Sequence, residues 1–304
     1  MSKATLKALK NFKHRVNPEE RQGAYGYYFI RPVSLYFTYL ALRAGLTANQ
    51  VTVLQILFGV AGAVCLAFPA NAVALAGCAL LQFGFVLDNV DGEVARFRKQ
   101  VSVTGKFLDT VGHEIVVPCM FFGLGVGTFW RTSHWESMVF GFLAGLFSLR
   151  FDISGLYHEA AQLIESKLDQ AYDYYAGMHL TGAGNLYRRK NEASAIRVVF
   201  GLFAYPATMN ITTMLIIGDV FFAPFQVAGK TLSLTYVFLL IYGTLLPIRR
   251  VLTIRKLVRA RETERKYVTL VDLLRREGSS SKNSQAGVEN AARKSSQGSL
   301  RNRE

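Results

Sequence analysis

The chain has 304 residues, 51% of them hydrophobic and only 18% charged, with a positive mean hydropathy and a formal net charge of +14. That balance excludes an ordinary water-soluble globule, and the long apolar runs assign the basic excess to anionic lipid rather than to nucleic acid. Cys65, Cys78 and Cys119 all fall inside apolar runs and form no CxxC pair, which excludes a disulfide framework and a structural zinc site.

The first 30 residues are basic and polar. They lack an apolar stretch followed by a small-residue cleavage site, so no cleavable signal peptide is expected. Pro32–Ala44 is apolar on much of its circumference, with Arg31 and Arg43 at its ends. It is too short to cross a bilayer and reads as an amphipathic helix lying on the inner leaflet. Gly45 ends it, and Thr47 with Gln50 forms a capping box that opens the next helix.

A spanning helix needs about 20 mostly apolar residues. Six segments qualify in chain order: Val51–Phe68, Ala72–Leu87, Phe107–Phe129, Met138–Leu156, Val198–Phe222 and Leu232–Ile248. The second continues helically into charged residues, and Pro206 is expected to kink the fifth. Residues 157–195 are polar and tyrosine-rich and read as an excursion outside the bilayer. From about Gly278 the tail is Ser, Asn, Gly, Lys and Arg, a composition that predicts disorder. The resulting division is an N-terminal segment 1–46 carrying the interfacial helix, a membrane domain 47–256, and a basic tail 257–304. The fold class is all-α, a polytopic six-helix transmembrane bundle.

Lysine and arginine placement sets the orientation. Basic residues crowd the N-terminal 45 residues, the stretch joining spans two and three (Arg96, Arg98, Lys99, Lys106), the fourth connection (Lys167, Arg188, Arg189, Lys190, Arg197) and the region from Arg249 on. The remaining connections carry at most Arg131 or Lys230. Every second connection is therefore basic, which predicts a multi-pass protein with both termini on the cytoplasmic side. Gly123 with Gly127, and Gly141 with Gly145, are small-residue pairs that predict close helix packing, within a subunit or across a dimer.

Residues 88–113 read DNVDGEVARFRKQVSVTGKFLDTVGH. Asp88, Asp91 and Ala95 follow helical spacing along one face where span two leaves the membrane, and Gly105, Asp109 and His113 do the same on span three. Two adjoining antiparallel helices thus aim three carboxylates and an imidazole at one volume. A bare aspartate deep in a bilayer costs roughly 3 kcal/mol, and carboxylates facing one another also repel. Mg²⁺ or Mn²⁺ best suits such an oxygen-rich cluster, and these ions also bind phosphate oxygens. Gly92 and Gly105 leave backbone bare beside the acids for a phosphate or nucleotide to approach.

The ordered pattern Asp88, Asp91-Gly92, Ala95-Arg96, eight residues, Gly105, three residues, Asp109 resembles the signature of the CDP-alcohol phosphatidyltransferase family. The resemblance extends to the six-span layout and the Thr47–Thr52 entry to span one, roughly residues 30–250. It implies a homodimeric membrane transferase that uses two divalent ions to cleave the pyrophosphate of a CDP-linked donor. A hydroxyl acceptor attacks and CMP leaves, as in phospholipid biosynthesis. Carried over position by position, Asp88, Asp91 and Asp109 would hold Mg²⁺ or Mn²⁺, and Gly92, Ala95, Arg96 and Gly105 would border the CDP donor. The expected partners are that donor, the hydroxyl acceptor and membrane lipid, with no nucleic acid. The expected location is a bacterial or archaeal cytoplasmic membrane, with the site on its cytoplasmic side.

The family's final aspartate is His113 here. A neutral imidazole either accepts a proton near pH 7 or ligates a metal, so His113 is the base, or a ligand with Glu114 as a weaker substitute base, or the mark of altered or lost activity. Arg150 near the end of span four either pairs with Asp152 or grips an anionic acceptor, and Arg197 poses the same choice. His158 and His179 read as surface residues, and His134 falls on the far side from the acids and is a poor catalytic candidate. Two rivals remain: an intramembrane prenyltransferase, whose carboxylates are spaced differently and lack the Gly and Ala-Arg elements, and a family member without catalysis that binds lipid or nucleotide.

Overall fold

The computed structural model describes residues 26–100, 102–149, 201–203, 205–222, 225–227 and 230–261, together with Leu9 and Val268. The chain divides into two compact units, 1–151 with 193–250, and 152–192 with 251–304. Of the second, the described residues are 251–261 and Val268. Arg150, Arg197, His158, His179, the 157–195 excursion and the tail from 278 all lie outside the described residues.

The first unit is a helical membrane bundle. A π-helical turn, Gly26–Ile30, leads into α1 (Arg31–Arg43), followed by α2 (Ala48–Leu66), α3 (Asn71–Phe97), α4 (Val103–Thr132), α5 (Glu136–Ser148) and α6 (Ala207–Phe222). A short antiparallel hairpin, β1 (Phe225–Val227) with β2 (Lys230–Leu232), pairs Gln226 with Thr231 and precedes α7 (Leu234–Ala260). Among the described residues, four stretches are long and apolar enough to cross a membrane: Ala48–Leu66, Asn71–Phe97, Phe107–Thr132 and Leu234–Ala260. Among the described residues α5 and α6 are shorter apolar helices, and the expected fourth and fifth spans, Met138–Leu156 and Val198–Phe222, include positions outside the described residues.

Local signals start and stop these elements. The Thr47 hydroxyl accepts from the Gln50 amide, and the Gln50 side chain accepts from the Thr47 amide, so the expected capping box opens α2. Gly45 follows α1 with φ +78°, a conformation that favours glycine. The Ser102 hydroxyl caps α4 by accepting from the Gly105 amide at 3.0 Å. At Pro206 the expected kink is a break. Gly201 and Leu202 are helical, Tyr205 and Pro206 form a turn across a cis peptide, and α6 starts at Ala207.

α1 has two faces. Tyr28, Phe29, Val33, Tyr36 and Leu40, on it and the turn before it, are exposed, whereas Arg31, Ser34, Leu35, Thr38 and Ala41 are buried. That division fits a helix packed on α3 by one side and facing lipid by the other. At the centre, α2 packs along both α3 and α4, and α4 packs along α5. Backbone approach explains these contacts. A Cβ on Gly123 or Gly127 would strike the carbonyl oxygen of Ala63 or Leu66 on α2, and Gly125 meets Gly141 on α5. The predicted small-residue packing thus operates within the chain. Apolar helices gain little from burial in lipid, so close van der Waals packing of this kind is what holds them.

Candidate active site

Asp88 leaves α3 near its C-terminal end, and Asp109 and His113 lie one turn apart near the start of α4. Each offers a ligand atom, and these atoms all lie within 4.8 Å of one another. His113 Nε2 stands 3.7 Å from Asp88 Oδ1, and His113 Nδ1 stands 3.5 Å from Asp109 Oδ1. The side chains are 18 to 25% exposed, so water reaches them only in part. His113 Nδ1 also lies 3.0 Å from the Asp109 carbonyl oxygen. A carbonyl only accepts, so Nδ1 is the donor in this contact, and Nε2 is the ring nitrogen turned toward Asp88.

The first span builds the site's third wall. Thr52 and Gln55 sit three residues apart on α2, the helix that packs on both α3 and α4. The Thr52 hydroxyl donates to Asp91 Oδ2 at 2.6 Å, and Gln55 Nε2 donates to Asp88 Oδ1 at 3.0 Å. Asp91 is only 8% exposed and lies outside the group of ligand atoms formed by Asp88, Asp109 and His113, although the charges of Asp88 and Asp109 act on it. A third helix, α2, therefore supports the acids that α3 and α4 bring together. Gln55 is the member that sequence reading missed. Its signal was a pair of polar residues one turn apart in an otherwise apolar span.

The small residues around the acids have particular neighbours. A Cβ on Gly92 would meet the Arg96 guanidinium at 3.0 to 3.4 Å, so the arginine covers the backbone that was expected to lie bare. A Cβ on Gly105 would meet Ser102 Oγ at 3.2 Å and Asn49 Oδ1 at 3.5 Å, where α4 begins beside the entry to α2. Ala95 and Glu114 are half-buried, and Glu114 is not one of the grouped ligands.

Glu93, next to Gly92, is fully buried yet is no part of the cluster. Ser34 Oγ donates to its Oε1 at 2.6 Å and Thr38 Oγ1 donates to its Oε2, both from α1. These bonds fasten the interfacial helix to the helix that carries Asp88 and Asp91. The sequence held a signal for this too, since Ser34 and Thr38 are polar residues spaced by four on the side of α1 that is buried.

A narrow, nearly closed cleft lies beside the cluster and is lined by Gln55, Gly59, Gly84, His113, Val116, Val117 and Tyr205. The Tyr205 ring meets His113 edge-on, with ring centres 5.1 Å apart, and so limits the tilt of the imidazole. No sequence spacing relates Tyr205 to His113.

Two carboxylates and an imidazole at these distances suit a divalent cation that accepts oxygen and nitrogen ligands. Residues 45–258 match the sequence model of the family described as CDP-alcohol phosphatidyltransferase, whose members use divalent metal. No individual curated protein matches the chain significantly.

Proposed function

Because the chain belongs to the CDP-alcohol phosphatidyltransferase family, transferases of substituted phosphate groups acting at membranes, we propose that it transfers a phosphate-linked group from CDP-diacylglycerol or another CDP-alcohol to a hydroxyl acceptor and releases CMP. The convergence of Asp88, Asp109 and His113 from two membrane helices carries this reading.

Asp88, Asp91 and Asp109 would hold two Mg²⁺ or Mn²⁺ ions, which supply Lewis acidity toward pyrophosphate oxygens and the departing CMP. Thr52 fixes the rotamer of Asp91, and Gln55 fixes that of Asp88. His113 takes the proton of the attacking hydroxyl on Nε2, with Nδ1 held by the Asp109 carbonyl and the ring braced by Tyr205. The acceptor oxygen bonds to the donor phosphorus, the pyrophosphate P–O bond breaks, and CMP carries away the bonding pair. Gly92, Ala95, Arg96 and Gly105 would border the nucleotide, with Arg96 swinging off Gly92 to admit it. The alternation of basic connections supports an active site and termini on the cytoplasmic side, and the family resemblance supports a homodimer.

The test is CMP release by the purified full-length chain with Mg²⁺ or Mn²⁺, CDP-diacylglycerol and a panel of hydroxyl acceptors. CMP formation that depends on both metal and acceptor is expected. Clear metal binding with no CMP from any donor–acceptor pair overturns the reading. His113→Ala is expected to slow turnover by about 10²-fold or more. Normal turnover in that variant removes His113 as the base.

A further inference from the structure

Glu93 is wholly buried on α3, and both of its oxygens accept hydroxyls from α1. Ser34 Oγ donates to Oε1 at 2.6 Å, and Thr38 Oγ1 donates to Oε2. Ser34 and Thr38 stand one turn apart on the buried face of α1. Packing alone does not account for an acid here. A buried carboxylate costs more than an apolar side chain of its size, and replacing such a group and its partners by apolar residues is often neutral or stabilising. What the acid adds is direction. The apolar cluster that includes Leu35, Leu42 and Phe97 joins the same two helices, but contact of that kind has no preferred direction. Two hydrogen bonds to one carboxylate, from residues a turn apart, admit one rotation and one height of α3 against α1.

Glu93 follows Asp91 by two residues, about 200° round the helix, so it lies on the flank of α3 away from that acid. α3 is therefore held from two directions. Thr52 and Gln55 on α2 meet Asp91 and Asp88, while Ser34 and Thr38 on α1 meet Glu93. We propose that Glu93 is a positioning residue for the transfer reaction: gripped by Ser34 and Thr38, it sets the rotation of α3 and so aims Asp88 and Asp91 at the metal. The inference rests on the transferase reading above, in which those acids hold the cation. A carboxylate oxygen stands about 5 to 6 Å off the helix axis, so a turn of roughly 10° moves it by about 1 Å. A misplacement of about 1 Å costs on the order of a hundredfold in rate. The brace also acts near the end of α3, which stops at Phe97, and helix ends fray unless tied down.

The test makes the whole contact apolar in the full-length protein in detergent, combining Glu93→Leu with Ser34→Ala and Thr38→Val. The Tm of this triple variant in EDTA is expected to equal or exceed that of the wild type, because no carboxylate is left buried there. Its kcat for CMP release is expected to fall by about a hundredfold. The Mg²⁺ or Mn²⁺ concentration that half-saturates the metal-linked rise in Tm is expected to climb by about tenfold. Glu93→Gln keeps an oxygen for one hydroxyl and offers an N–H to the other, and it is expected to stay within about threefold of the wild type in both measurements. If the triple variant does not fold, Ser34→Ala breaks one of the two bonds and is expected to shift both measurements the same way. A triple variant with wild-type turnover and metal dependence overturns this inference. So does a fall in turnover that comes with a lowered Tm in EDTA and an unchanged half-saturating metal concentration, since that marks Glu93 as structural alone. A wild-type chain that responds to metal but releases no CMP overturns the transferase reading, and the metal titrations of the variants still decide the role of Glu93. A wild-type chain whose Tm ignores metal leaves no cation to aim at and overturns this inference as well.

Discussion

The two ends of the bundle both bury acidic side chains, and they spend them in opposite ways. At the end where α6 gives way to α7, Asp219 accepts from the Leu234 amide at 2.6 Å, the Thr235 amide at 3.1 Å and the Thr235 hydroxyl at 2.7 Å. Its charge lies on the N-terminus of α7, where backbone amides and the helix dipole both favour an anion. Thr128 on α4 extends the network by donating to Thr235 at 3.2 Å. At the other end Asp88 and Asp109 are gathered around His113 with ligand atoms within 4.8 Å, an arrangement in which like charges oppose one another. An acid whose oxygens are taken by helix-end donors is a structural fastening. Acids turned toward one another inside a membrane protein are a place for a cation. Glu93 sharpens the contrast, because it lies two residues from Asp91 on the same helix, is wholly buried, and is tied by Ser34 and Thr38 as a fastening.

The largest effect that separates the two ends is expected from Asp109→Asn. Losing one carboxylate of the cluster removes about 4 kcal/mol of transition-state stabilisation, roughly a thousandfold in kcat/KM for CMP release. The same variant is expected to lose a metal-linked gain in stability. In the wild-type chain, Mg²⁺ or Mn²⁺ at a hundred times its dissociation constant stabilises the fold by about 2.7 kcal/mol, visible as a raised Tm in detergent. An Asp109→Asn chain whose Tm still rises fully with metal breaks the assignment of the cluster as the cation site.

Much of this contrast was legible in residues 88–113, and the reason is physical. Helical periodicity places Asp88 with Asp91, and Asp109 with His113, whatever the tertiary packing, so local spacing was enough to nominate the cluster. The entry to α2 was legible for the same reason, since a capping box is a contact between residues three apart. Packing partners far apart in sequence were not legible. Gln55 reaches Asp88 across 33 positions, Thr52 reaches Asp91 across 39, and Ser34 reaches Glu93 across 59. Each requires knowing that α2 lies along both α3 and α4, and that α1 lies along α3. The arginine over Gly92 escaped for a different reason. A glycine in a motif signals room for something, and spacing does not say whether a ligand or a side chain fills it.

Asp219→Ala tests the other end. It strips three hydrogen bonds from the start of α7, and its expected cost is about 1 to 2 kcal/mol, seen as a lowered Tm. CMP release per folded molecule should not change, because Asp219 belongs to the opposite end of α6 from the cleft residue Tyr205. A loss of turnover with no loss of stability contradicts its role as a fastening.

The smallest effect is also the most discriminating, because its sign reverses. In metal-free protein Asp88→Asn is expected to raise stability, by about 1 kcal/mol or less, as one charge leaves a group of like charges. Asparagine keeps an oxygen that accepts from Gln55 Nε2, so the bond seen at 3.0 Å survives and only the repulsion is relieved. Adding Mg²⁺ or Mn²⁺ should invert the ranking, since the wild-type chain then gains a cation that the variant holds poorly. Thermal unfolding of both proteins, in EDTA and then in excess metal, reads the crossing directly. Two curves that keep their order in both conditions mean that Asp88, like Asp219, serves the fold, and the distinction between the two ends fails.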